Sequence, residues 1–170
     1  MGERVKIVED GRKNKIVQLE QIIFMGKRKI DWDGVEEFAK SYVGQAIVME
    51  TNQNVIHIGK DFPNEFAHSK DTARLRGGAA KAKANAVQGV VEIVKNSHHG
   101  IYRENLTEKH ATNAGNGWYR YISRFSLPVY EGMAKRYNVF LITVLIRCDV
   151  KGNQYLYDMV NIKKETEYPA

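Results

Sequence analysis

One cysteine, three prolines and no apolar run beyond eight residues set the first limits on this 170-residue chain. A lone Cys148 forms no internal disulfide, and at the end of an apolar run it reads as a small buried thiol rather than a nucleophile. The run itself, VFLITVLI from Val139 to Ile146, falls far short of the roughly 20 residues that a membrane-spanning helix needs. No His-x-x-x-His pair or Cys-x-x-Cys spacing occurs among His57, His68, His98, His99 and His110. Neither a metal nor a cofactor is therefore expected. The start, MGERVKIVEDGRK, carries charges where a secretory leader has its apolar stretch. The expectation is a cytoplasmic protein with no membrane partner.

What is present is ordinary for a folded domain: 43% hydrophobic and 27% charged residues. The chain is basic, with a formal charge of +6. The excess is concentrated between Lys70 and Arg120, where nine Lys/Arg face four Asp/Glu. A local excess of this kind suits a polyanion, and a solubilising surface is the alternative.

Hydrophobic periodicity divides the chain. Residues 1–30 read as a peripheral arm or hairpin, with a turn at EDGRKN. Residues 31–170 read as a single α+β domain. DWDGVEEFAKSYVG has an Asp N-cap and a glycine stop, the marks of a helix. QAIVMETNQNVIHIG has two β-rich runs around a polar turn. From Ser69 to Lys95, Leu75, Ala79, Ala82, Ala86, Val90 and Ile93 recur at helical spacing, leaving Lys81, Asn85, Gln88, Glu92 and Lys95 on the opposite face. Gly77 and Gly78 break this region, either as a hinge or as a phosphate-cradling turn with Arg74 and Arg76. NLTEKHATNAGNG reads as a short capped helix. Strands follow at Trp118–Leu127, Tyr137–Cys148 and Gln154–Lys163. The expected fold is α+β, with N-terminal helices packed on one face of an antiparallel β-sheet.

Period-two alternation sorts the strands into faces. Phe140, Ile142, Val144, Ile146 and Cys148 form an apolar face for the helices to cover. Trp118, Arg120, Ile122, Arg124 and Ser126 share one side of the first strand, and Thr143 and Arg147 lie on the less apolar side of the second. Guanidinium groups grip phosphates and aromatic rings stack on bases, so this mixture suits single-stranded nucleic acid. The competing reading is a network of ion pairs with Asp158, Glu104 or Glu108. His110 precedes the arginine strand closely. A metal-independent ribonuclease needs a proton carrier near neutrality and cations for the phosphorane, roles open to His110 with Arg120 and Arg124. His98 and His99 are its rivals. Lys109, Trp118, Tyr119, Arg147 and Lys163 are the candidate nucleic-acid contacts.

Six blocks, GKDFPNEFAHSKDT, AKAKANAVQG, RENLTEKHA, GWYRYISRFSLPVY, RYNVFLITVLIR and YLYDMVNIKKET, resemble a domain of the large polyvalent proteins of phages and conjugative elements. That group is similar to the barnase, EndoU, colicin D and RelE-like nuclease superfamily. The resemblance implies helices on an antiparallel sheet and metal-independent, RNase-like cleavage of RNA. Carried onto this sequence, it implies catalytic roles for His110, Arg120, Arg124 and Thr143. RNA is then the expected partner ahead of DNA, with a cognate inhibitor protein as a further one. The alternative is a non-catalytic module that binds nucleic acid or protein with the same face.

Overall fold

The computed structural model describes residues 4–26, 29–104 and 114–165. The first half runs β1 (Val5–Glu9), β2 (Lys15–Leu19), α1 (Trp32–Lys40), β3 (Ala46–Val48), β4 (Val55–His57), α2 (Phe62–His68) and α3 (Lys70–Arg74). The second half runs α4 (Gly77–Ala86), a 3-10 turn at Val87–Gly89, α5 (Val90–Lys95), β5 (His98–Arg103), β6 (Trp118–Glu131), β7 (Ala134–Cys148) and β8 (Gln154–Lys164). Among the described residues no helix is long and apolar enough to cross a membrane.

Local signals explain most of these elements. The Asp31 carboxylate accepts the Gly34 N–H at the start of α1, and Gly44 adopts a φ of +94° just beyond its end. The β7–β8 turn is held by Asp149, whose Oδ1 accepts the Lys151 and Asn153 amides, while Gly152 supplies a φ of +88°. Between α3 and α4, Arg76 donates to the Ala73 and Leu75 carbonyls. That arginine finishes α3, and the glycine pair opens α4, with Gly77 at a φ of +55°.

The sheet departs from the expected antiparallel layer. Its order is β1-β2-β6-β7-β8-β4-β3, with β5 also paired to β6. The β6–β7–β8 meander is antiparallel, but β2 joins β6 and β4 joins β8 in parallel. The result is a mixed, curled sheet. The physical reason is that each early hairpin adds to an edge of the late meander from far away in sequence, and alternation sets which face a side chain takes but not the direction of a distant partner strand. Curling brings the β3–β4 turn back across the sheet. Thr51 Oγ1 donates to the Ser97 carbonyl at 2.8 Å, and Asn52 Nδ2 donates to the Tyr121 hydroxyl at 3.2 Å.

One core results. Tyr121, Phe125 and Leu127 of β6 and Phe140, Ile142, Val144 and Ile146 of β7 pack with Ala82, Ala84, Ala86, Val90, Ile93 and Val94. Ser123 Oγ, fully covered, donates to the Ile93 carbonyl at 2.8 Å and ties α5 to β6. The β1–β2 hairpin inserts Val17 and Leu19 into the same core. Asn85 and Gln88, expected on an exposed helix face, are buried instead. The segment after β2 lies along α4, where Asn85 Oδ1 accepts the Ile23 and Phe24 amides and Gln88 Nε2 donates to the Gln21 carbonyl. A buried amide side chain here satisfies backbone groups that have no ladder of their own.

Candidate nucleic-acid interface

Strand register arranges the face opposite the core into rows. Trp118 stands beside Arg147, which stands beside Tyr155. The next row is Ile101, Arg120 and Leu145, and after it come His98, Ile122 and Thr143. Arg124, Leu141 and Lys163 form the fourth row. Successive rows lie two residues, about 6.6 Å, apart, so Arg120 and Arg124 are separated by about 13 Å along β6. That distance spans roughly two phosphates of an extended strand rather than adjacent ones. Ile101 and Ile122 remain 55% and 37% exposed, so this part of the face presents apolar surface between its cations.

The three arginines have different surroundings. Arg124 lies against Glu165, with Nε 3.1 and 3.2 Å from the two carboxylate oxygens. Its charge is largely balanced on the protein. Arg147 is 9% exposed, stacks 4.3 Å above the Tyr155 ring and lies 3.8 Å from Asp61. Arg120 is half-buried and has no ion pair among the described residues. It is the guanidinium best placed to receive a phosphate. Thr143 is half-buried one row away and Lys163 is exposed at the β8 end. Trp118 packs edge-on against Tyr157, with ring centres 5.1 Å apart.

Tyr119 lies on the other side of β6. Its ring meets Tyr102 at 5.2 Å and Tyr121 at 6.2 Å, packed against the core, and burial raises its phenol above the usual range. His110 and Lys109 lie outside the described residues. Their rival His98 stands in the row of Ile122 and Thr143, with its ring against His99. Burial, then His99 and Arg124, hold the His98 imidazole below its ordinary value, so it favours the neutral form. Cys148 is buried, and burial followed by Asp149 pushes its thiol up. A thiol in that environment is a poor nucleophile.

Sequence spacing does not reveal two polar clusters. Lys83, fully buried in α4, donates to Asp158 Oδ1 at 3.0 Å and to Thr72 Oγ1 at 2.7 Å. Asp158 therefore serves an interior pair and not the surface arginines. The second cluster joins α1 to α2: His68 Nε2 lies 3.0 Å from Glu36 and 3.4 Å from Asp33. Among the described residues these three offer the one set of ligand atoms close enough to share a cation, all within 4.8 Å. Asp33 is almost fully exposed, which suits a surface ion-pair cluster. The spacing of two carboxylates at i and i+3 was visible, but the histidine arrives from another helix.

Compared with family models, curated proteins and solved structures, the chain finds no match in any of the three.

Proposed function

We propose that the protein binds single-stranded RNA across β6, β7 and β8 and cleaves it without a metal, as its resemblance to the nuclease-like domains of polyvalent proteins implies. The observation that carries this reading is Arg120. It combines the absence of an ion partner among the described residues with a place between Trp118 and Ile122 on the face that also bears Thr143 and Lys163. Guanidinium and aromatic groups at row spacing match the alternating phosphate and base of an unpaired strand.

The chemistry is transesterification. A base takes the 2′-hydroxyl proton, the 2′ oxygen bonds to phosphorus, and the bond to the 5′ oxygen breaks as that oxygen gains a proton. The products are a 2′,3′-cyclic phosphate and a 5′-hydroxyl. His110 is assigned the proton transfer, Arg120 and Arg124 the phosphorane charge, and Thr143 a hydrogen bond that orients the phosphate. A cognate inhibitor protein would cover the same basic face.

A second reading rests on a specific observation: Glu165 and Asp61 already engage Arg124 and Arg147. Cations held in this way position a strand more readily than they stabilise a new charge, as in a non-catalytic binding module. Incubation of labelled single-stranded RNA in EDTA separates the two. Cyclic phosphate ends support cleavage, whereas intact RNA with salt-dependent binding supports the binding module.

A further inference from the structure

At the Arg147 end of the sheet, the β4–α2 loop and the β7–β8 turn enclose an open cleft of about 450 Å³. That volume lies within the range of small-ligand sites. Its lining combines three cations, Lys60, Arg147 and Lys151, with Asp61, Asn153 and Tyr155. Arg147 and Tyr155 are stacked at 4.3 Å, and His57 leans on the same tyrosine at 5.5 Å. Gly59 borders the cleft beside them, and a Cβ there would make ordinary contact, 3.6 Å from the Tyr155 ring and 3.9 Å from Arg147.

The two acids of the cleft differ in what they do. Asp149 is committed to the turn, accepting the Lys151 and Asn153 amides. Asp61 is 63% exposed and makes no side-chain cap to α2. Among the described residues its one ion-pair partner is Arg147, at 3.8 Å. It is thus a weakly held counter-ion at the mouth of a stacked, positively lined cleft.

We propose that this cleft is a nucleotide subsite in which a phosphate displaces Asp61 from Arg147 and the base lies against the Arg147–Tyr155 stack. The assignment rests on the RNA-binding reading in one respect: Trp118 continues the Arg147–Tyr155 row, which makes the cleft the terminus of the same track. Lys60 and Lys151 add charge for the phosphate, and the Asn153 side chain, with Nδ2 3.4 Å from Asp149 Oδ2, lines the cleft beside them. Removing the Asp61 charge should therefore strengthen binding, the reverse of what losing a ligand-contacting group does.

The test is titration of the full chain with adenosine 5′-monophosphate, inorganic phosphate and a labelled single-stranded RNA, followed by amide chemical shifts and fluorescence anisotropy. The monophosphate should shift Gly59, Lys151 and Asn153 and bind more tightly than phosphate alone. D61N should tighten it about threefold to tenfold at low salt, and K151A should weaken it. Both positions are exposed, so neither variant threatens folding. No shift with the monophosphate, equal affinity for inorganic phosphate, or D61N binding no better than the parent each overturns the subsite. RNA binding that is lost in R120A but unchanged in D61N and K151A retains the sheet face and removes the cleft. Monophosphate binding without RNA binding retains the cleft and removes the sheet face.

Discussion

Replacing Lys83 with Met tests the interior on which the sheet face is mounted. The ammonium is fully buried, 3.0 Å from Asp158 and 2.7 Å from Thr72 Oγ1, with the Phe66 ring 5.2 Å away. Met fills comparable volume, so packing changes little, but Asp158 is left 2% exposed with only the Met159 amide and Ser69 to accept from. Breaking one side of a buried pair costs about 3–5 kcal/mol. With a urea dependence of about 2–3 kcal/mol per molar, the unfolding midpoint at pH 7.5 should fall by roughly 1–2 M.

The cost should also depend on pH. Burial pushes Asp158 up to about 6, despite Lys83, Ser69 and the Met159 amide, against an ordinary value of 3.8. A carboxyl raised in the folded state contributes stability that is fully present below the unfolded value and is lost as pH rises through the folded one. Without Lys83 the folded value rises further, so the window widens upward and the deficit grows between pH 5 and pH 7.5. K83M/D158L should recover most of the loss, because it removes both charges together. A K83M deficit below about 1 kcal/mol at pH 7.5, or one that does not change with pH, refutes the reasoning, since a broken buried pair should exceed that value.

R120A should weaken RNA binding and lower the salt slope by about 0.7, the value for one phosphate contact on a single strand, whereas R124A should change the slope less because Glu165 already occupies that guanidinium. H110A should abolish cleavage and leave anisotropy-measured binding largely intact; full cleavage by that variant transfers the proton role to His98 or His99. N85A should destabilise the fold by about 1–3 kcal/mol by leaving the Ile23 and Phe24 amides without their acceptor, an effect checked by urea unfolding. G100A should be similarly damaging, because a Cβ there would stand 2.5 Å from the ring of Tyr121, whose hydroxyl accepts the Asn52 amide. Retained near-UV ellipticity and an unchanged unfolding midpoint in G100A would count against that contact.

The sequence-level reading succeeds where one strand or helix determines its own pattern. Alternation placed Ile142 and Val144 inside, where they are 1% and 0% exposed, and grouped Arg120, Arg124, Thr143 and Arg147 on the other face. It could not show that β2 and β4 approach the meander in parallel, because parallel pairing between distant segments leaves no local signature. The same limit hid the charge partners. Arg124 finds Glu165 and Lys83 finds Asp158 across 41 and 75 residues. Asn85 was misplaced for a related reason: a polar residue opposite an apolar stripe reads as exposed until another segment is known to lie along it. Spacing offers His98 and His99 only as rivals to His110, and β5 pairing brings His98 into the row of Ile122 and Thr143.

The most direct test of the central claim is end-group analysis of a single-stranded RNA incubated with the pure protein in EDTA at neutral pH. Cleavage should leave 2′,3′-cyclic phosphate and 5′-hydroxyl ends, and R120A should reduce its rate by more than tenfold. RNA that stays intact while binding to the parent but not to R120A would contradict cleavage and leave the binding module. RNA that is neither bound nor cut would contradict the account of this face altogether.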